Sequence, residues 1–447
     1  VTGLTHKQKE AVGLLQIGTF LEYFDLMLYV HMAVLLNELF FPKTDPHTAA
    51  LLSAFAFCST FILRPFGALL FGYIGDNIGR KTTVIITTMM MSTSCVIMAN
   101  LPTYAQIGIT ATWIVTLCRI IQGLSSMGEI IGAEIYVTEI VKPPAQYPAV
   151  SFIILAASIG STVALGISSL VTTTGLNWRI AFWVGAGIAV VGSMARTKLR
   201  ETPEFLEAKK RKLKEDEESK NYVISKEAFE FGKNKRNQIK THMAYIFIQC
   251  GWPMTFYFGY LYFNQLLKGS YGYSVEDIIL HNFLLSIIVL FSDMTLIFLS
   301  YRIEPLKILK IKGVIFFLYV LIFPFLIKFS SSSLHIFFIQ AVLLAMPLAA
   351  MPADAVFIRY FPVLKRFKTA SFIYAFSRAA MHVITSFGVI YLTESFGHWG
   401  VWVIMVPVTL AFLWSVQHFE KIDGLNFSLP RIKQSLEKNS RLKRARS

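Results

Sequence analysis

The chain reads as long apolar stretches separated by short polar ones. A membrane-crossing helix needs about 20 mostly apolar residues in a row. Charge-poor stretches of that kind fall at 11–40, 48–73, 83–101, 106–135, 148–172, 179–197, 242–267, 277–300, 311–328, 334–358, 369–394 and 399–419. The pattern predicts an all-α membrane protein with twelve transmembrane helices. One long interruption, 196–241, is dense in charge, and in it Arg211 and Glu215, Lys212 and Asp216, and Lys214 and Glu218 are opposite charges four apart, as on a solvated helix. It divides the spans six and six. The expected organisation is a six-helix bundle over 1–197, a cytoplasmic connector over 198–241, a second six-helix bundle over 242–419 and a basic tail over 420–447.

Composition agrees with this pattern and charge orients it. With 54% hydrophobic and 15% charged residues and a mean hydropathy of +0.55, a water-exposed globule is excluded. The formal charge of +15 suggests nucleic acid until the basic residues are located. If the N-terminus is cytoplasmic, the loops facing inside hold roughly 34 of the 42 Lys and Arg, with Lys43, Lys268 and Lys328 outside, which is the positive-inside bias. The charge is therefore topological: both termini are expected in the cytoplasm, and nucleic acid is not expected as a partner. Basic residues of the tail, such as Arg431, Lys433, Lys438 and Arg441, are each worth about 1 kcal/mol beside anionic lipid, enough to hold it on the inner leaflet. Cys58, Cys95, Cys118 and Cys250 lie inside spans and read as packing residues. The first apolar stretch, flanked by Lys7 and Lys9, is too long for a leader core, so no cleavable leader is expected.

Charged residues inside spans are the informative positions, because each costs at least about 2.5–3.5 kcal/mol at the bilayer centre. In the first span Glu22, Asp25 and Tyr29 share a helical face with Gly18. In the fourth, Arg119, Gln122, Ser126 and Glu129 repeat that spacing. Two carboxylates on one helix and a cation on another suggest a buried network in which a carboxylate takes up a proton, or else a structural pairing of Glu22 with Arg119. The seventh span places Gln249, Trp252, Phe256, Tyr260 and Asn264 on one face, either a binding wall or packing. The eleventh places Ser371, Tyr374, Arg378 and His382 together, with Arg378 a permanent cation and His382 a second candidate for proton coupling. Glu134 and Glu139 are expected near the cytoplasmic surface, and Asp293 and Asp354 at cytoplasmic gate contacts. No nucleophile–base pair or metal-spaced His cluster is visible, so neither an enzyme nor a cofactor is expected.

Between the second and third spans runs RPFGALLFGYIGDNIGRKTT, Arg64 to Thr83. It closely resembles the G-x-x-x-D-x-x-G-R-K signature of the major facilitator superfamily. Together with GTFLEYFD (Gly18 to Asp25), RIIQG through GEIIGAE (Arg119 to Glu134), NWRIAF (Asn177 to Phe182) and LRETPEF (Leu199 to Phe205), it is similar to the metabolite:proton symporter branch that includes proline/betaine transporters. The resemblance covers nearly the whole first half. The second half departs: after the eighth span stands only LSYRIEPLK (Leu299 to Lys307), Arg359 stands two positions before Phe361 and Pro362 where an acidic residue is usual, and Gln146 replaces a common arginine.

The resemblance implies a two-bundle secondary transporter of the bacterial inner membrane, in which solute sits between the halves and the halves rock about it. It implies that Gly72, Asp76, Gly79, Arg80 and Lys81 form a cytoplasmic gate latch. Physically, Asp76 can accept from donors at a helix N-terminus across the bundle interface while Gly72 and Gly79 permit close approach. The expected solute is small, polar and zwitterionic, taken up with protons, with Glu22, Asp25, Tyr29, Arg119, Gln122, Glu129, Trp252, Tyr260, Tyr374, Arg378 and His382 along the pathway. A di- or tricarboxylate is the alternative, using two intramembrane arginines. A non-transporting membrane sensor is the second alternative.

Overall fold

Twelve helical segments in the computed structural model follow the apolar stretches. The structure describes residues 4–42, 61–196, 201–202, 206–207, 209–210 and 227–444. Side chains at 30–31, 33–35, 37–38, 127–129, 189, 191–193, 195–196, 227–237, 390, 394 and 425–444 are outside the described set. The first half comprises α1 (His6–Phe40), α2 (Arg64–Asn77), α3 (Arg80–Asn100), α4 (Ile109–Ile140), α5 (Gln146–Thr174) and α6 (Arg179–Arg196). The expected start of the second span and the paired charges at 211–218 lie outside the described residues.

The second half is less regular, for reasons the sequence supplies. Helix α7 starts at Glu227, within the segment expected as connector; it runs as Glu227–Phe256, passes through a π-turn at Tyr257–Tyr262 and ends as Phe263–Tyr271. Pro253 removes a backbone donor just before the π-turn. The Gly259 carbonyl in the turn accepts from Gln340 Nε2 at 2.9 Å. The added residue rotates the remainder of the helix by about 100°. Asn264 accordingly accepts from Asn282 Nδ2 of the next helix at 2.9 Å, and does not continue the face of Trp252. Helices α8 (Val275–Ser300), α9 (Pro305–Lys328), α11 (Val363–Phe396) and α12 (Trp402–Arg444) are continuous. Ser274 caps α8, accepting from the Asp277 amide in a capping box.

Helix α10 is broken into Ser333–Ala345 and Asp354–Ile358. The intervening MPLAAMPA contains Pro347 and Pro352, which cannot donate and which disfavour helix in the residues before them. Backbone groups released in this stretch find partners: Leu348 N donates to Thr255 Oγ1, and the Ala349 and Met351 carbonyls accept from Lys312. Irregular backbone at membrane depth is tolerable only where protein satisfies it in this way.

Packing inverts that of a soluble protein. Outward faces carry Phe66, Leu70 and Tyr73 on α2 and Phe291, Met294 and Phe298 on α8, all more than half exposed, as lipid-facing surfaces are. Polar and charged side chains lie inside. The first half packs α1 on α5, α3 on α4 and α6, and α2 on α4, while the second packs α7 on α11 and α12, and α9 on α12. Two seams join the halves: α2 against α11 and α5 against α8.

Candidate functional site

Two polar regions lie where the halves meet. The first gathers around Asp76 at the end of α2. Its carboxylate accepts the backbone amides of Phe367 at 3.2 Å and Lys368 at 2.9 Å, in the opening turns of α11. Arg80 Nη1 pairs with Asp76 at 2.9 Å, and Arg80 Nη2 donates to the Val363 carbonyl at 2.7 Å. A regular helix would join the Val363 carbonyl to the Phe367 amide, so the α2–α3 loop lays a carboxylate and a guanidinium along one turn of α11. Gly72 makes this approach possible, since a Cβ there would stand 2.7 Å from the Lys368 Cα.

Glu139, at the end of α4, is the hub of this region. Its Oε1 accepts from Arg80 Nη2 at 3.3 Å and Arg366 Nη1 at 3.2 Å, and its Oε2 accepts from Thr202 at 2.6 Å. The neighbouring Glu201 accepts the amides of Arg80 and Lys81, at 2.9 and 3.3 Å, capping the start of α3. Lys81 thus joins through its backbone. The latch residues expected from sequence are therefore assembled in one place. Glu139, expected near the cytoplasmic surface, is buried within this cluster at 4% exposure, and Glu201 and Thr202 of the connector belong to the same cluster.

The second region is a cavity of about 120 Å³ between the halves. Arg378 of α11 reaches it with its guanidinium carbon 4.4 Å from the Trp252 ring centre and 4.0 Å from that of Tyr374. Among the described residues Arg378 has no ion-pair partner, and its Nε has no hydrogen-bond partner. Glu134 of α4 and Asp354 of α10 line the same cavity, each with one carboxylate oxygen lacking a hydrogen-bond partner among the described residues. Tyr23 of α1 reaches across to Tyr374, hydroxyl to hydroxyl, at 3.3 Å. Ser158, Thr162, Ser286, Gln249 and Thr255 add polar atoms to an otherwise apolar and aromatic lining.

The expected pathway residues do not all meet in one place. Trp252, Tyr260, Tyr374 and Arg378 line the cavity. Asp25, Tyr29, Arg119 and Gln122 form a cluster inside the first half: Arg119 pairs with Asp25 at 3.6 Å, donates to Gln122 at 2.8 Å and stacks on Tyr29 at 3.9 Å. Glu22 pairs with Arg64 of α2 at 3.9 Å, not with Arg119. His382 packs on Phe61, ring centres 4.0 Å apart, outside the cavity lining. The Glu129 side chain lies outside the described residues. Glu134, expected near the cytoplasmic surface, and Asp354, expected at a cytoplasmic gate contact, both line the cavity. The Glu134 signal was present, since Ser126, Ile130 and Glu134 continue one face of α4 at four-residue steps.

The Major Facilitator Superfamily model matches residues 15–362. The chain belongs to the major facilitator superfamily. Within it the chain is similar to the inner membrane metabolite transport protein YhjE of Escherichia coli K12, 36% identical over 219 residues, which are 47% of this chain and 50% of the relative. It is also similar to the proline/betaine transporter of Salmonella typhimurium, 32% identical over 206 residues, 44% of this chain and 41% of that protein. The chain thus matches about half the length, or less, of these curated relatives. Among solved structures it resembles the proton:xylose symporter XylE, with a TM-score of 0.73 at 16% identity over 93% of this chain and 95% of that one, a likeness of fold. The twelve segments and two seams are this superfamily's architecture as laid down by this sequence.

Proposed function

We propose that this major facilitator is a proton-coupled secondary transporter that imports a small zwitterionic solute of the proline or glycine betaine kind by alternating access. It lies in a membrane of the bacterial inner type with both termini cytoplasmic, and its two six-helix units, 1–197 and 242–419, rock about the cavity. The carrying observation is Arg378, a buried guanidinium that lines the cavity with only aromatic partners among the described residues. A solute carboxylate supplies the missing acceptor through charge-assisted hydrogen bonds. Glu134 and Asp354, together with the rings of Trp252, Tyr23 and Tyr374, receive the cationic end. Either carboxylate can also carry the coupled proton when the solute has left.

The di- or tricarboxylate alternative draws on two intramembrane arginines, Arg119 and Arg378. Arg119 is engaged with Asp25 within the first half, and two cavity carboxylates repel a second negative charge. Uptake of labelled glycine betaine and labelled 2-oxoglutarate, in cells lacking carriers for either, tests the choice. Betaine or proline uptake that collapses with the proton gradient supports the reading. Transport of 2-oxoglutarate alone defeats it, and binding without flux in proteoliposomes would point to the sensor.

A further inference from the structure

The break in α10 leaves backbone carbonyls at membrane depth, and one side chain answers them. Lys312, in the first turns of α9, is 3% exposed. Its Nζ donates to the Met351 carbonyl at 3.0 Å and the Ala349 carbonyl at 3.4 Å. Asp293 of α8 and Asp354 of α10 are close enough to act on its charge. Among the described residues, though, no carboxylate lies within 4.0 Å of the ammonium. Asp293 is occupied by the Ser158 hydroxyl of α5. From α12 the neighbours of the adjoining Gly313 are apolar, Phe412 and Leu413. The ammonium therefore rests on carbonyl oxygens, with two carboxylates at longer range.

Unwound helices in membranes offer this environment, carbonyl oxygens backed by negative charge, to monovalent cations from solution. We propose that the break in α10 is a monovalent-cation site that the chain fills with its own Lys312 ammonium. A small ion such as Na+, or a primary alkylammonium, is the chemical class that fits; a bulky ammonium is excluded by size. The tethered cation holds the segment whose Pro347, Ala349, Ala350 and Met351 form one wall of the cavity. That wall consequently needs no dissolved metal ion. With Lys312 removed, the site becomes available to a soluble cation, whichever solute the protein carries.

The test uses the purified full chain in detergent and requires no transport. Thermal unfolding of wild type and Lys312→Ala is followed in sodium, ethylammonium and N-methylglucammonium chloride at one ionic strength. Wild type is expected to melt at the same temperature in all three. The variant should melt lower in N-methylglucammonium and recover saturably, by about 2 °C or more, in sodium or ethylammonium, as binding to the folded state alone requires. Equal melting of the variant in all three salts overturns the proposal. If Lys312→Ala does not accumulate folded, Lys312→Met and Lys312→Arg decide. The Arg variant, which keeps a cationic donor, must melt above the Met variant, which has similar length and no donor; the reverse order overturns it.

Discussion

The Asp76 cluster, which we propose acts as a cytoplasmic latch, and the cavity use the same kinds of residue and leave them in opposite states. Around Asp76, every carboxylate has cationic or amide donors: Asp76 meets Arg80 and two α11 amides, Glu139 meets Arg80, Arg366 and Thr202, and Glu201 meets the first turn of α3. In the cavity, Glu134 and Asp354 each keep a carboxylate oxygen without a hydrogen-bond partner, and Arg378 has no ion-pair partner, among the described residues. Buried charges that satisfy one another hold a conformation, whereas buried charges left open are costly until something binds. The contrast makes two separate expectations. Cavity substitutions should affect solute recognition with little loss of stability. Latch substitutions should change the balance of states with little change in affinity.

Arg378→Gln should produce the largest effect. Losing a charge-assisted contact to a solute carboxylate costs about 1.5–3 kcal/mol. At about 1.4 kcal/mol per tenfold this amounts to a roughly 10- to 100-fold fall in Vmax/KM, mostly through KM. Expression and melting temperature should hold or rise, because a buried cation without a counter-ion is removed. Concentration-dependent uptake alongside a melting curve checks both. Wild-type Vmax/KM in the variant would mean that the cavity cation is structural, and the contrast with the latch would fail.

Glu139→Gln comes next and should behave in the reverse way. It withdraws the charge from between Arg80 and Arg366 and weakens the contact to Thr202. Turnover is expected to fall about tenfold, equivalent to about 1.4 kcal/mol, while KM moves less than threefold. Labelling of a cysteine introduced at Lys368 should increase as α2 and α11 part. A large KM change with unaltered labelling would place Glu139 in solute binding and erase the distinction.

How much could be read in the sequence depends on how local each signal is. The twelve spans depend only on runs of apolar residues, and the α2–α3 loop packs its chemistry into Gly72 to Lys81. The pairing of charges between spans has no such signal. Face analysis set Glu22 and Asp25 on one side of α1, but whether Arg64 or Arg119 meets each depends on how α2 and α4 pack against it. Lys312 was obscured because Lys307 and Lys310 just before it fit a surface anchor, and only burial separates the third lysine from them. The break in α10 is absent from the sequence reading, which has 334–358 as one span; Pro347 and Pro352 interrupt its apolar run, and that interruption is the sequence mark of a discontinuous helix beside a binding site. The π-turn in α7 had only Pro253 to announce it, which is why Asn264 was expected on the wrong face.

The smallest effect tests whether the connector is truly part of the latch. Glu201 holds the first amides of α3, an interaction worth about 0.3–1 kcal/mol at a helix N-terminus, so Glu201→Gln should slow turnover by only about two- to fivefold. Gly79→Ala reaches the same contact from the other side, because a Cβ at Gly79 would run into the Glu201 carboxylate and displace it. If both substitutions act through this one cap, their effects cannot add, and the double variant should be no slower than the slower single one. Multiplied effects in uptake rates normalised to membrane-inserted protein would show that Gly79 serves the backbone independently. Glu201 would then be a bystander, and the latch would end at Glu139.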